Sequence, residues 1–127
     1  MNSRKVLIGI LSLSLLIEIA WPVLGFFFPD FLIAQFKMTP TPDVSFLTFV
    51  LSWCLLFVAL VCGLALRLVL QNKAMGWTLS FILGWWWVGI GGSLFLIYGR
   101  VDNLLLDGLK GAIIVAAAFA SRAEVKA

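Results

Sequence analysis

Four apolar runs divide this chain: Val6 to Phe28, Val44 to Leu66, Met75 to Tyr98 and Leu104 to Ala120. Each approaches the roughly 20 residues that a helix needs to cross bilayer hydrocarbon. Hydrocarbon offers no hydrogen-bond partners, so a spanning backbone must satisfy itself as a helix or as a closed barrel. Barrel strands alternate apolar and polar residues, and these runs do not. The expected fold is therefore all-α, an integral membrane four-helix transmembrane bundle built as one transmembrane domain over residues 1–127.

Composition agrees with that solvent. The chain is 63% hydrophobic and 12% charged, where ordinary soluble domains carry roughly 25% charged residues. A net charge of +3, scattered along the chain, leaves no nucleic-acid footprint. The absence of His removes the commonest metal ligand and proton shuttle and rules out a Ser-His triad. Cys54 and Cys62 stand eight residues apart in one run. On a helix that is about 12 Å along the axis, too far for a disulfide, and both read as small buried hydrophobes.

The connections set the limits of the spans. The segment "FFFPDFLIAQFKMTPTPDV" holds Pro29, Pro40 and Pro42, and proline ends helices and disfavours helix before it. Residues 31–38 are apolar but short, which predicts a segment lying along the interface. Thr41 and Asp43 are the candidate caps of the second helix. "RLVLQNKAMG" reads as a polar turn and "YGRVDN" as the third connection. Arg4, Lys5, Arg67, Lys73, Arg122 and Lys126 fall on one side of such a topology, against Lys37, Arg100 and Lys110 on the other. That bias predicts both termini cytoplasmic. Trp77 and Tyr98, at opposite ends of the third run, suit the two interfacial aromatic belts. The first run follows Arg4 and Lys5 as a signal peptide would. It reads instead as a retained helix, because Glu18 interrupts it and no small-x-small cleavage site follows.

One carboxylate lies inside the first run, in "LIEIAWPVLG". Glu18 is about 18 Å in from Val6 at helical rise, near mid-membrane, where a charged side chain costs at least about 2.5 kcal/mol and is usually turned inward and partnered. Pro22 displaces the carbonyl four residues back, which is that of Glu18 itself. Trp21 is one turn away. A structural reading pairs Glu18 with Lys110, or with a Ser or Trp of a neighbouring helix. A functional reading makes it a proton- or cation-binding group.

The third run contains "GWWWVGIGGS". Trp85, Trp86 and Trp87 point in directions about 100° apart, so at least one faces lipid or a partner. They mark either aromatic bulk in close packing or a wall for a hydrophobic ligand. Gly89 and Ser93 form a small-xxx-small pair for helix packing, and Gly108, Ala112, Ala116 and Ala120 form a second smooth stripe. Asp107 and Lys110, three apart, can pair on one helix face. No motif indicates a catalytic site, a metal site or a cofactor. The candidate binding residues are Glu18, Trp21, Trp85, Trp86, Trp87 and Lys110.

The order "FFFPDFLIAQF", "SWCLLFVALVCGLALRL" and "LLLDGLKGAIIV" resembles the small four-helix bacterial membrane proteins called DoxX-like. That resemblance implies a bacterial inner-membrane protein and supplies no catalytic residues. Glu18 with Trp21 is similar to a Glu–Trp pair in the first helix of the small multidrug resistance exporters, and "WVGIGG" at Trp87 to Gly92 is similar to their Trp-x-Gly-x-Gly segment in the third helix. Carried over, Glu18 would exchange protons for cations and Trp87 would line the pocket. Pro22, the long connection after the first helix and the missing Lys depart from that family's pattern. Two functions follow as expectations. The first is a small polytopic membrane protein that binds a hydrophobic small molecule, a lipid, a partner protein or a second copy of itself. The alternative is a proton-coupled exporter of small cations.

Overall fold

The computed structural model describes residues 2–126, with side chains through residue 124. Helix α1 covers Ser3–Phe27, α2 Pro29–Gln35, α3 Pro42–Leu70, α4 Ala74–Tyr98, α5 Val101–Asn103 and α6 Leu109–Lys126. The segment Leu104–Gly108 joins α5 to α6 as a wider helical turn. No strand occurs among the described residues. Four stretches, Ser3–Phe27, Pro42–Leu70, Ala74–Tyr98 and Val101–Glu124, are long and apolar enough to cross a membrane. The all-α class and the four apolar spans agree with the sequence reading.

Helix ends fall where backbone chemistry puts them, which is not always where hydropathy changes. Helix α3 begins two residues before Val44, because Thr41 Oγ1 accepts the Val44 N–H at 3.2 Å and Pro42 needs no amide partner in the first turn. It runs past Leu66 to Leu70. There Asn72 turns left-handed at φ 56, and the N–H groups of Asn72 and Lys73 donate to Val69 O at 3.0 Å and Leu68 O at 2.9 Å. This double closure satisfies two carbonyls that the helix end would otherwise leave open. Gly99 ends α4 in the same left-handed conformation, at φ 65. Pro29 ends α1 and at once opens α2 as its first residue. Pro22, by contrast, sits inside α1, which continues through it.

The chain divides into two compact units, residues 1–14 with 61–127, and residues 15–60. In the first, buried positions recur every three or four residues: Leu7, Leu11 and Ser14 on α1, and Cys62, Ala65 and Val69 on α3. The Cys62 thiol donates to Leu11 O at 3.5 Å. Arg4 Nη2 donates to Val69 O at 3.3 Å and Leu70 O at 3.2 Å, placing a cation on the carbonyl end of α3, where the helix dipole favours it. Trp77 Nε1 donates to Ser121 Oγ at 2.7 Å, joining α4 to α6.

In the second unit, Phe26 stands edge-on to Phe49 and Trp53, with centroids 5.6 and 5.3 Å away. A Cβ on Gly25 would collide with Ser52 Oγ, so α1 and α3 approach closely there. Leu32 and Ile33 of α2 are buried, and Phe31 is exposed.

Two expectations about single residues are corrected. Trp77 does not serve an interfacial belt. It is 3% exposed, because its indole N–H is used on Ser121. Cys54 is exposed, while Cys62 is buried, and neither forms a disulfide. A spacing of eight residues turns a helix by about 80° from one to the other, enough to carry Cys54 off the buried stripe.

Candidate binding site

Helices α4 and α6 meet through glycine. A Cβ on Gly84 would lie 2.9 Å from Gly111 O, and one on Gly111 would lie 2.7 Å from Val88 N. Two turns along α4, a Cβ on Gly91 would strike the backbone of Gly108. Gly108 closes the wide turn, where the Leu109 N–H reaches back five residues to Leu104 O. That one-residue insertion, a recurrent feature of functional helices, shifts the residues after it around the helix axis.

The contact differs from the stripes read in the sequence. Gly89 and Ser93 are exposed, and a Cβ on Gly89 meets nothing within 4 Å. The packed positions of α4 include Trp77, Ser80, Gly84, Trp87 and Gly91. On α6, Ala112 and Ala116 are exposed and Ala120 is half-buried. Gly108, the first member of that stripe, is buried in the wide turn before α6, and the buried positions of α6 include instead Gly111, Ile114, Ala118 and Ser121. The reason is geometric: steps of four drift about 40° each around a 3.6-residue helix, whereas alternating threes and fours stay on one face.

Against this glycine seam lies a polar group. Lys110 is 7% exposed. Its Nζ stands 3.5 Å from the Trp87 ring centroid and 3.9 Å from Asp107 Oδ1. Asn103 Nδ2 donates to Asp107 Oδ2 at 3.1 Å, one turn before. The indole face is negative, so an ammonium held over it gains electrostatic attraction that grows with desolvation. Gly91 and Gly111, which let the two backbones approach, were not legible as site residues. Asn103 was reachable through its spacing of four from Asp107.

The three tryptophans divide their roles. Trp87 is 4% exposed, while Trp85 and Trp86 are 55% and 43% exposed. Trp86 still touches Trp87 edge-on at 5.0 Å, and Trp85 touches Phe81 at 6.3 Å. The result is two outward aromatic groups on α4, Trp85 with Phe81 and Trp86 against the Trp87 that Lys110 covers. Trp87 Nε1 is buried and has no acceptor among the described residues.

In the second unit, Glu18 is fully buried, as is Pro22 one turn on. Trp21, half-buried, faces the Phe36 ring with centroids 6.0 Å apart. The candidate residues therefore fall into two groups, Trp85, Trp86, Trp87 and Lys110 in one unit and Glu18 with Trp21 in the other. No group of three or more metal-ligating side chains occurs among the described residues.

No protein-family model, curated protein or solved structure matches the chain.

Proposed function

We propose that this small polytopic membrane protein is a non-catalytic binding protein that presents the α4 tryptophans to a hydrophobic small molecule, a lipid or an apolar surface of a partner protein. One observation carries the reading: Trp85 and Trp86 stand outward, while Trp87, edge-on to Trp86, is covered by Lys110 on the packed side of α4. Indoles combine large apolar area with few rotatable bonds, so outward indoles on a packed helix bind at low entropic cost. An ionisable residue kept within a membrane-spanning segment is itself a mark of function, and Lys110 is such a residue. The order of elements around Phe28 and Pro29 supports the DoxX-like resemblance, and with it a bacterial inner membrane. The positive bias of Arg4, Lys5, Arg67, Lys73 and Arg122 supports cytoplasmic termini.

The test is purification in mild detergent followed by mass spectrometry of the intact protein and any companion. A stoichiometric companion retained by the parent and lost from the double variant Trp85→Ala/Trp86→Ala is the expected outcome. No companion, or one indifferent to both substitutions, would contradict the reading.

A second reading, proton-coupled export of small cations, is favoured by Glu18 alone. Its carboxyl is fully buried midway along α1, with Trp21 three residues on, as in the small multidrug resistance exporters. Here Glu18 would exchange a proton for the cation. Cation-driven proton release from the solubilised parent, abolished by Glu18→Gln, would establish this reading over the first.

A further inference from the structure

We infer that one end of the unit formed by residues 1–14 and 61–127 is a docking surface for anionic phospholipid headgroups. Three separate segments converge there. Arg4 reaches the Val69 and Leu70 carbonyls at the close of α3, and Ser3 Oγ donates to Glu124 Oε1 at 2.8 Å, tying the start of α1 to the end of α6. These contacts bring Lys5, Arg67, Lys73 and Arg122 to the same end, and all four are exposed.

None of the four makes a side-chain hydrogen bond or ion pair among the described residues. The acid at this end, Glu124, accepts the Ser3 hydroxyl. The charge left over is therefore strongly positive. Within the same unit the opposite end is compensated: Arg100 Nη2 lies 3.0 Å from Asp102 Oδ2 and its Nε lies 3.2 Å from Oδ1. Those hydrogen bonds hold the Arg100 guanidinium above its ordinary pKa. Unpaired cations at one end and a satisfied pair at the other make an electrostatically lopsided unit.

The location selects the partner. The four cations flank the ends of helices long enough to span a bilayer, which is the depth of the headgroups. A cation there gains about fivefold in affinity for an anionic membrane surface. Arg4 is already committed to carbonyl oxygens, so it positions the surface without being one of its free charges. The inference is independent of the proposed ligand at the α4 tryptophans.

The test is native mass spectrometry of the full chain in detergent with equimolar phosphatidylglycerol and phosphatidylcholine of matched acyl chains. The parent is expected to retain phosphatidylglycerol preferentially. The quadruple variant Lys5→Gln/Arg67→Gln/Lys73→Gln/Arg122→Gln should lose at least about tenfold of that preference, and added salt should erode it in the parent. Arg100→Gln, at the other end, should leave the preference intact. Because all four side chains are exposed and unpaired, these substitutions spare the fold, which an unchanged helical circular dichroism spectrum of the variant would verify. Equal retention of both lipids by the parent, or an undiminished preference in the quadruple variant, would overturn the inference.

Discussion

Lys110 Nζ lies 3.5 Å from the Trp87 ring centroid, a cation and an indole held face to face across the α4–α6 contact. Both side chains are more than nine-tenths buried. A contact of this kind is worth about 0.5–2 kcal/mol, more when water is excluded. A double-mutant cycle with Trp87→Leu and Lys110→Met, read by reversible unfolding in mixed micelles, should give a coupling energy in that range. Independent, additive effects would show that the two side chains merely lie close together.

The glycine seam gives a sharper contrast. Gly111→Ala puts a methyl 2.7 Å from Val88 N, and a backbone atom cannot yield as the end of a side chain can. Overpacking of this sort typically costs about 1–3 kcal/mol. Gly89→Ala, on the open face of the same contact helix, meets nothing within 4 Å and should instead gain up to about 1 kcal/mol of helix propensity. Unfolding free energies of the two variants, measured side by side, are expected to move in opposite directions.

Long apolar runs made the number of spans and their helical class legible, because length and hydropathy alone decide what can cross hydrocarbon. Packing faces were less legible. A stripe at Gly108, Ala112, Ala116 and Ala120 looked smooth in the sequence, yet the drift of a four-residue step carries its later members off the contact. The wide turn at Leu104–Gly108 leaves no composition signal and resets the register just where Lys110 enters the seam. Trp77 looked interfacial from its place at the end of a run, and only the position of Ser121, 44 residues away, shows why it is buried. The site is thus half legible: aromatic and ionisable residues announce themselves, but their neighbours come from a register that periodicity does not fix.

Trp77 and Trp87 are both buried, and their indole N–H groups are in opposite situations. Trp77 Nε1 donates to Ser121 Oγ at 2.7 Å, whereas Trp87 Nε1 has no acceptor among the described residues. Ser121→Ala should strand a buried donor and cost about 1–3 kcal/mol. Trp87→Phe removes a donor that has nothing to lose, so its cost should come from the smaller ring and its weaker hold on the Lys110 ammonium. Replacing Trp77 by Phe in the Ser121→Ala background should recover part of that variant's loss, as measured by thermal unfolding.

Four apolar helices facing lipid are the premise of every functional reading. The most direct measurement is labelling of the reconstituted protein with a carbene photoreagent dissolved in the bilayer, followed by peptide mapping. Leu16, Phe57, Ile82 and Phe119, each more than 60% exposed and one on each long helical stretch, should all acquire label, while the polar turn at 71–73 stays clean. A helix whose outward residues remain unlabelled while the turn reacts would contradict a four-span protein.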